Sequence, residues 1–191
     1  MSFLVSLSEK FKAWGRRKDL AVFFELLSPK KNDVILDVGA GTGWIADRVA
    51  DVCDDVYALE PNESSLNYIR KRHPQVKAFS ATANSVPFSE KYFDKLYVVM
   101  AFHHFSDQDD ALEEFRRIVK AGGLLLINEF YANGPGSFVR YFEKDVLKHN
   151  VTFNDPQDLE KRVQAHGFRR ESVRNAGSGY FFLARRETEE D

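Results

Sequence analysis

The chain has 191 residues, of which 43% are hydrophobic and 29% are charged. This length and this composition suit a single globular domain, and they exclude extended disorder and collagen-like repeats. The formal net charge of −2 argues against bulk electrostatic attraction to nucleic acid or to anionic membranes, although a local basic patch could still bind either.

The first 30 residues form the first predicted unit, an amphipathic helical cap. Large apolar side chains recur in it at helical spacing. They are Phe3, Leu7, Phe11, Trp14, Leu20, Phe23, Phe24 and Leu27. Lys and Arg residues lie between them at positions 10–18. We expect these cations to form a solvated helix face, and contact with anionic lipid, RNA or an acidic substrate is the alternative.

Five short apolar runs follow in residues 33–130, and each is a predicted strand. They are Val34 to Val38, Val56 to Glu60, Val76 to Ser80, Lys95 to Phe102 and Gly123 to Phe130. Such nearly continuous apolar runs are typical of a parallel sheet that is covered on both faces. Helical patterns separate the runs. One helix is predicted to begin at Asn62 as its N-cap, and a later one to stop at Gly122–Gly123.

The C-terminal part departs from this alternation. Phe168 to Asn175 and Tyr180 to Arg186 flank a glycine-containing turn, which predicts an antiparallel hairpin within residues 167–186. Residues 131–166 are a candidate substrate lid, and plain core packing is the alternative. The apolar face of that lid would consist of Phe138, Tyr141, Phe142 and Val146. Residues 187–191 are charged and are expected to fray.

The most informative segment is VILDVGAGTGWIA, in which a buried strand runs into a glycine-rich loop and then a helix. Asp37 is followed by Gly39, Gly41 and Gly43 at alternate positions. Glycine allows a sharp turn and lets a ligand approach the backbone without a Cβ in the way. We expect the turn to leave backbone N–H groups at the next helix start available to a ligand.

A carboxylate stands at the end of the second predicted strand. Glu60 follows the first glycine by about 20 residues, the position at which nucleoside-binding βαβ units place an acid on the ribose hydroxyls. One carboxylate can accept both donors of a cis-diol. A solvated glutamate at a strand end is the alternative interpretation. Pro61 beside it offers a rigid apolar surface for an adenine ring.

The glycine spacing separates two classes of nucleotide site. Dinucleotide sites use G-x-G-x-x-G, whereas this loop has G-x-G-x-G after Asp37. With Glu60 and the closing hairpin, DVGAGTG resembles the class I S-adenosylmethionine (SAM)-dependent methyltransferases, specifically the methyltransferase type 11 family. The resemblance extends from about Asp33 to Gly123 by motif and to about Arg186 by strand order. It implies a Rossmann-like α/β fold: a doubly wound, mostly parallel seven-stranded sheet with a C-terminal antiparallel hairpin and an N-terminal helical cap.

The resemblance also implies a set of cofactor-binding residues. SAM would be the cofactor and S-adenosylhomocysteine (SAH) the product. Ala83 would present its backbone N–H to the adenine edge. Thr82 stands where the family usually has an acid, so the adenine amino group would meet Thr82 or Asn84, or be bound more weakly. The full set is Asp37, Gly39, Ala40, Gly41, Gly43, Glu60, Pro61, Thr82, Ala83, Asn84, Met100, Ala101 and His103, of which the last three would lie at the methionine end.

The chemistry of methyl transfer leaves the catalytic residues open. The reaction is an in-line displacement at carbon with a sulfonium leaving group, so proximity and orientation supply most of the rate. No metal is required, and a general base is needed only where the acceptor must lose a proton. His103 and His104 follow the fourth predicted strand, and Glu129 lies near the end of the fifth. Each is a candidate base or orienting group, and a structural hydrogen bond or ion pair is the alternative.

The expected function is SAM-dependent methyl transfer to a small-molecule acceptor, apolar or aromatic in character. A catalytically inactive SAM-binding accessory protein and a nicotinamide-dependent oxidoreductase are the rival hypotheses. Cys53 is the only cysteine, which excludes an internal disulfide and a cysteine metal cluster. We expect a cytoplasmic protein without integral membrane association or a nucleic-acid partner, because no signal peptide or membrane-length apolar run is evident.

Overall fold

Seven strands dominate the computed structural model, which describes residues 18–133, 151–177 and 179–188. The strands are β1 (Val34–Val38), β2 (Asp55–Leu59), β3 (Lys77–Phe79), β4 (Phe93–Val99), β5 (Val119–Phe130), β6 (Phe168–Ala176) and β7 (Gly179–Arg186). They form one sheet in the order β3-β2-β1-β4-β5-β7-β6. Neighbours among β1 to β5 pair in parallel, and β7 runs antiparallel to both β5 and β6. The predicted parallel sheet with a closing hairpin is confirmed.

Helices cover both faces of the sheet. They are α1 (18–27), α2 (Trp44–Ala50), α3 (Glu63–Arg72), α4 (Gln108–Ile118) and α5 (Pro156–Ala165). One core lies under α1, α2 and α3 and contains Phe23, Val49 and Ile69. The other lies under α4 and α5 and contains Phe115 and Leu159. This two-sided cover is the doubly wound arrangement that the alternating pattern predicted.

Strand β1 shows why the central sheet needs cover on both faces. Its side chains alternate, so Ile35 belongs to the core under α1 to α3, while Leu36 and Val38 belong to the other core. All three are essentially inaccessible to solvent. The chain turns from β1 toward β2 on one side, and β4 leads to β5 on the other. In such a sheet, ligands bind outside the carboxyl ends of the strands where the order reverses, here between β1 and β4.

The structure corrects three predicted boundaries: the end of β4, the end of α4 and the start of β5. Strand β4 ends at Val99 and not at Phe102, because Met100 adopts a left-handed backbone (φ 53°) and residues Phe102–His104 form a 3-10 turn. The helix expected to stop at Gly122–Gly123 ends at Ile118. Val119 instead pairs with Phe93 and starts β5, because its fully buried β-branched side chain fits the sheet.

Parts of two predicted units lie outside the described residues. The first 17 residues of the helical cap do, as does the predicted lid face of Phe138, Tyr141, Phe142 and Val146. Within residues 131–166, α5 buries Leu159 and Val163 completely against the sheet. No helix in the described part of the chain has the length and apolar character that a membrane crossing requires.

Candidate functional site

The loop between β1 and α2 contains three glycines in left-handed backbone conformations. Their φ angles are +73° at Gly39, +55° at Gly41 and +72° at Gly43. A Cβ on Gly39 would lie 2.6 Å from the Cβ of Ala101, and one on Gly43 would lie 2.8 Å from Ile69. A Cβ on Gly41 would have no protein neighbour within 4 Å. Two of these glycines are therefore required by packing, whereas Gly41 borders open space.

The Glu60 carboxylate is fixed by backbone donors on both of its oxygens. Oε2 accepts the Gly41 N–H at 2.8 Å, and Oε1 accepts the Asn62 N–H at 2.9 Å. The side chain is buried, with 8% of its surface exposed. Because a carboxylate has about four acceptor positions, two lone pairs of a fixed orientation remain for other donors.

Several N–H groups of the glycine loop form hydrogen bonds within the protein, whereas the sequence predicted N–H groups available to a ligand. The N–H groups of Gly39 and Ala40 both donate to the Leu59 carbonyl, at 2.8 and 3.2 Å, and the Gly43 N–H donates to the Ala40 carbonyl. Together with the Gly41 N–H, which donates to Glu60, four N–H groups of the loop therefore form hydrogen bonds within the protein. The loop is thereby tied to the end of β2, because these four N–H groups donate within the protein.

A cleft of about 170 Å³ opens beside the carboxyl ends of β1 and β2. Part of its lining was predicted from the sequence: Gly39, Pro61, Thr82, Ala83, Asn84 and His104. The rest was missed: Val38, Leu59, Ala81, Phe105, Ser106 and Asp107. The missed residues adjoin the predicted motifs, either at strand ends or in the segment HHFSD that follows β4. Their position beside the motifs is the signal that could have found them.

The segment after β3 presents polar groups to this cleft. The Thr82 hydroxyl donates to the Asn84 Oδ1 at 2.7 Å, and both residues are exposed. Ala83 between them is buried. Because the Thr82 hydroxyl donates its hydrogen bond to Asn84, the lone pairs of the Thr82 oxygen can accept from another donor. The NH2 group of the Asn84 amide can donate.

The end of β4 brings another predicted group close to the glycine loop. The left-handed Met100 is held by its N–H, which donates to the Asn128 carbonyl at 2.9 Å. Ala101 follows and packs on Gly39. A left-handed backbone is unfavourable for a residue with a Cβ, and such strain concentrates at functional sites. Met100 and Ala101 thus lie at the switch point between β1 and β4.

His103 and Glu129 are brought together as a buried pair, with exposures of 1% and 0%. Glu129 Oε1 lies 2.7 Å from His103 Nδ1, and Oε2 accepts the His103 backbone N–H at 2.9 Å. Neither His103 nor Glu129 is among the described residues that line the 170 Å³ cleft. His104 does line the cleft, is exposed, and its ring centroid lies 4.1 Å from that of His103.

Asp37 is buried beneath the glycine loop with 3% of its surface exposed. It lies opposite Tyr97 in the register of β1 and β4. Burial raises the pKa of the Asp37 carboxyl to about 8, the Tyr97 hydroxyl offsets part of the rise, and the charge of Glu60 adds to it. Asp37 is therefore protonated at neutral pH and contributes a neutral carboxyl group to the site.

The fold and the site together define the class of protein. A doubly wound sheet closed by an antiparallel hairpin has, at its switch point, a glycine loop and a fixed strand-end carboxylate beside an apolar cleft. This is the architecture of the class I SAM-dependent methyltransferases.

The comparison with known families agrees. The sequence profile described as "Methyltransferase domain" matches residues 36–127, and over these residues the chain is similar to that family. Its match to demethylmenaquinone methyltransferase of Renibacterium salmoninarum has 32% identity over 114 residues, which is 60% of this chain and 48% of that protein. The chain spans less than half the length of the first curated relatives it matches.

Solved structures share the fold over nearly the whole chain. A SAM-dependent methyltransferase of Thermotoga maritima has a TM-score of 0.75 and 21% identity, with 96% of each chain covered. The [4+2]-cyclase SpnF has a TM-score of 0.76 and 20% identity, with 91% of this chain and 82% of that chain covered. At these identities, the similarity shows the fold and not the reaction.

Proposed function

We propose that the chain transfers the methyl group of SAM to a small-molecule acceptor by in-line displacement at carbon. The observation that carries this proposal is the Glu60 carboxylate, buried at the end of β2 and oriented by the N–H groups of Gly41 and Asn62. Its two remaining lone pairs suit the two hydroxyl donors of a ribose. Gly41 supports the same assignment, because a side chain there would enter space that the protein leaves open.

The cleft lining supports binding of the adenine next to Glu60. Pro61, Leu59 and Val38 supply apolar surface at the strand ends. The Thr82 oxygen is an acceptor suited to an adenine amino group, and the buried Ala83 beside it is the position that the family resemblance assigns to a backbone contact. Thr82 therefore replaces the acid that the family usually has, with a neutral acceptor whose orientation is set by Asn84.

The methionine end of the cofactor belongs, in this proposal, to the residues at the β1–β4 switch point. Asp37, Met100 and Ala101 lie on the two strand ends that flank this point. Bound SAM supplies an activated methyl group on a sulfonium sulfur. The chain contributes position and exclusion of water, which can provide ~7–11 kcal/mol of barrier lowering in favourable cases.

The acceptor is proposed as a small molecule on the strength of a relative named for demethylmenaquinone. A cofactor-binding protein without transferase activity is the second candidate, and it is favoured by Thr82, which stands where the family usually has an acid. The cytoplasmic location and the absence of a nucleic-acid partner stay predictions from the sequence.

The test is label transfer from SAM. The purified protein is incubated with methyl-labelled SAM and a metabolite extract, and the products are separated and identified by mass spectrometry. The proposal predicts protein-dependent label in a small molecule together with SAH in equal amount. SAH binding without any labelled product would favour the second candidate.

A further inference from the structure

Asp107 is the one carboxylate among the described residues that line the 170 Å³ cleft. It was not predicted from the sequence, and the proposed function gives it no role. The residue is exposed, so its side chain is open to a molecule in the cleft. Apart from His104, the rest of the described lining is apolar or uncharged. In pockets of this kind, a few placed polar groups determine which ligand binds.

Helix α4 occupies only one oxygen of this carboxylate. Asp107 is the N-cap of α4, and its Oδ1 accepts the N–H groups of Asp109 and Asp110 at 2.9 and 3.0 Å. These two bonds fix the orientation of the side chain. In the described part of the chain, Oδ2 receives no hydrogen bond. Oδ2 therefore stays able to accept a donor from a ligand.

The cleft has polar groups on two different flanks. In the sheet order, β3 and β4 lie on either side of β2 and β1, and the cleft opens at the carboxyl ends of β1 and β2. The segment after β3 contributes Thr82 and Asn84 to the lining, whereas the segment after β4 contributes Asp107. A ring bound in the cleft thus meets Thr82 on one flank and Asp107 on the other.

Helix α4 also holds these two flanks together. Glu114 Oε2 accepts the Val86 N–H at 3.0 Å, and Arg117 donates to the carbonyls of Val86 and Phe88 at 3.0 and 2.7 Å. Glu114 and Arg117 are paired with each other at 2.8 Å. The helix that begins after Asp107 is therefore bonded to the segment that follows β3. The flanks are positioned before a ligand binds, which lowers the cost of ordering them.

Two acceptors on different flanks suit an amino group, because an amino group has two N–H donors. The Thr82 oxygen can accept one of them, since its own proton is donated to Asn84. Asp107 Oδ2 can accept the other. A ring with a carbonyl oxygen at the same position has no donor for either acceptor. A site built to hydrogen-bond one polar group of a ligand rejects an analogue that lacks this group.

We infer that Asp107 is a specificity-determining residue of the cofactor site, whose Oδ2 accepts an N–H of the exocyclic amino group of adenine while Oδ1 caps α4. The inference rests on the proposed function, because it requires the adenine of SAM to bind in this cleft. It predicts that the chain distinguishes the adenosine form of its cofactor from the inosine form.

The test measures the Kd of two ligands by calorimetry: SAH, and S-inosylhomocysteine, in which an oxygen replaces the exocyclic amino group. The variants are Asp107→Asn and Asp107→Ser. Both new side chains cap helices about as well as Asp, so Tm should stay close to that of the wild type. Both lack the charged oxygen, so the Kd of SAH should rise about tenfold, and the preference for SAH over the analogue should fall by about the same factor.

Asp110→Asn is the matched control for the removal of a negative charge from this turn. Asp110 is exposed in the first turn of α4 and is not among the described residues that line the cleft. Only its backbone N–H contacts Asp107, and the substitution keeps that N–H. Both Kd values should therefore equal those of the wild type.

The ratio of the two Kd values separates a contact with the amino group from a capping role. A ratio that falls in both Asp107 variants and stays constant in Asp110→Asn supports the inference. Capping alone would change both Kd values equally, so an unchanged ratio overturns the inference while the proposed function stands. A wild type that binds both ligands equally has the same consequence. A wild type that binds neither ligand refutes the proposed function, and the inference with it.

Discussion

Replacement of Asp37 by Asn changes how stability depends on pH. In the unfolded chain an Asp carboxyl titrates near pH 4, whereas burial raises the pKa of Asp37 in the folded protein to about 8. Between these values the folded state binds one proton more than the unfolded state does. The contribution of Asp37 to stability is therefore fully present below pH 4 and declines as pH rises toward 8.

The size of the effect follows from the same values. One proton corresponds to a slope of about 1.4 kcal/mol per pH unit, so the wild type loses about 2.7 kcal/mol through Asp37 between pH 5 and pH 7. The amide that Asp37→Asn introduces cannot titrate. We expect the free energy of unfolding of Asp37→Asn, measured relative to the wild type, to rise by that amount over the same interval.

The assay is urea unfolding of both proteins at pH 5, 6 and 7. Asp94→Asn is the control. Partial burial acts to raise the pKa of Asp94, but hydrogen bonds from Lys120 and from the Val34 N–H lower it overall. Asp94 is therefore ionised in both states over this interval, and the stability difference of its variant stays constant. If the difference in unfolding free energy between Asp37→Asn and the wild type were also constant, the conclusion that Asp37 is buried and protonated would be refuted.

Further predictions concern the glycine loop and the adenine contact. Gly41→Ala and Gly122→Ala both place an alanine at positive φ with no neighbour within 4 Å, so each should lower Tm by about 2–4 °C, for about 1 kcal/mol of strain. Only Gly41→Ala should weaken SAH binding, at least tenfold by calorimetry, and equal affinities would contradict the loop assignment. Gly39→Ala should lower Tm more than either, because its Cβ would meet Ala101 at 2.6 Å. Thr82→Val should cost about 0.5–1.5 kcal/mol of SAH affinity, while Thr82→Ser should not; an unchanged affinity for Val would exclude the hydroxyl from the adenine contact.

The sequence correctly predicted those elements whose limits depend on interactions between residues close in the sequence. The limits of β1 agree with VILDV, because an apolar β-rich run ends at a glycine loop. Asn62 caps α3 as predicted, with its side chain accepting the Ser65 N–H at 3.0 Å. The hairpin of β6 and β7 also follows from two alternating runs around a glycine turn. In each case the signal lies in one short, continuous segment of the sequence.

Interactions between distant segments were harder to predict. Val119 continues a helical pattern, yet its pairing with Phe93 places it in β5, and that pairing exists only once β4 and β5 are aligned. His103 and Glu129 were predicted separately at the same edge of the sheet. Their contact depends on the 3-10 turn that brings the His103 ring back over the end of β5, and no periodicity in the sequence encodes that turn.

The most direct test of the central claim is calorimetric titration of SAH into the wild type, Glu60→Gln and Glu63→Gln. The account predicts that the wild type binds SAH and that Glu60→Gln binds it about 1–3 kcal/mol more weakly, because the charged acceptor of the ribose hydroxyls is lost. Glu63 is exposed at the start of α3, so its variant should bind like the wild type. A wild type that fails to bind SAH at millimolar concentration, or a Glu60→Gln variant of unchanged affinity, would contradict the account.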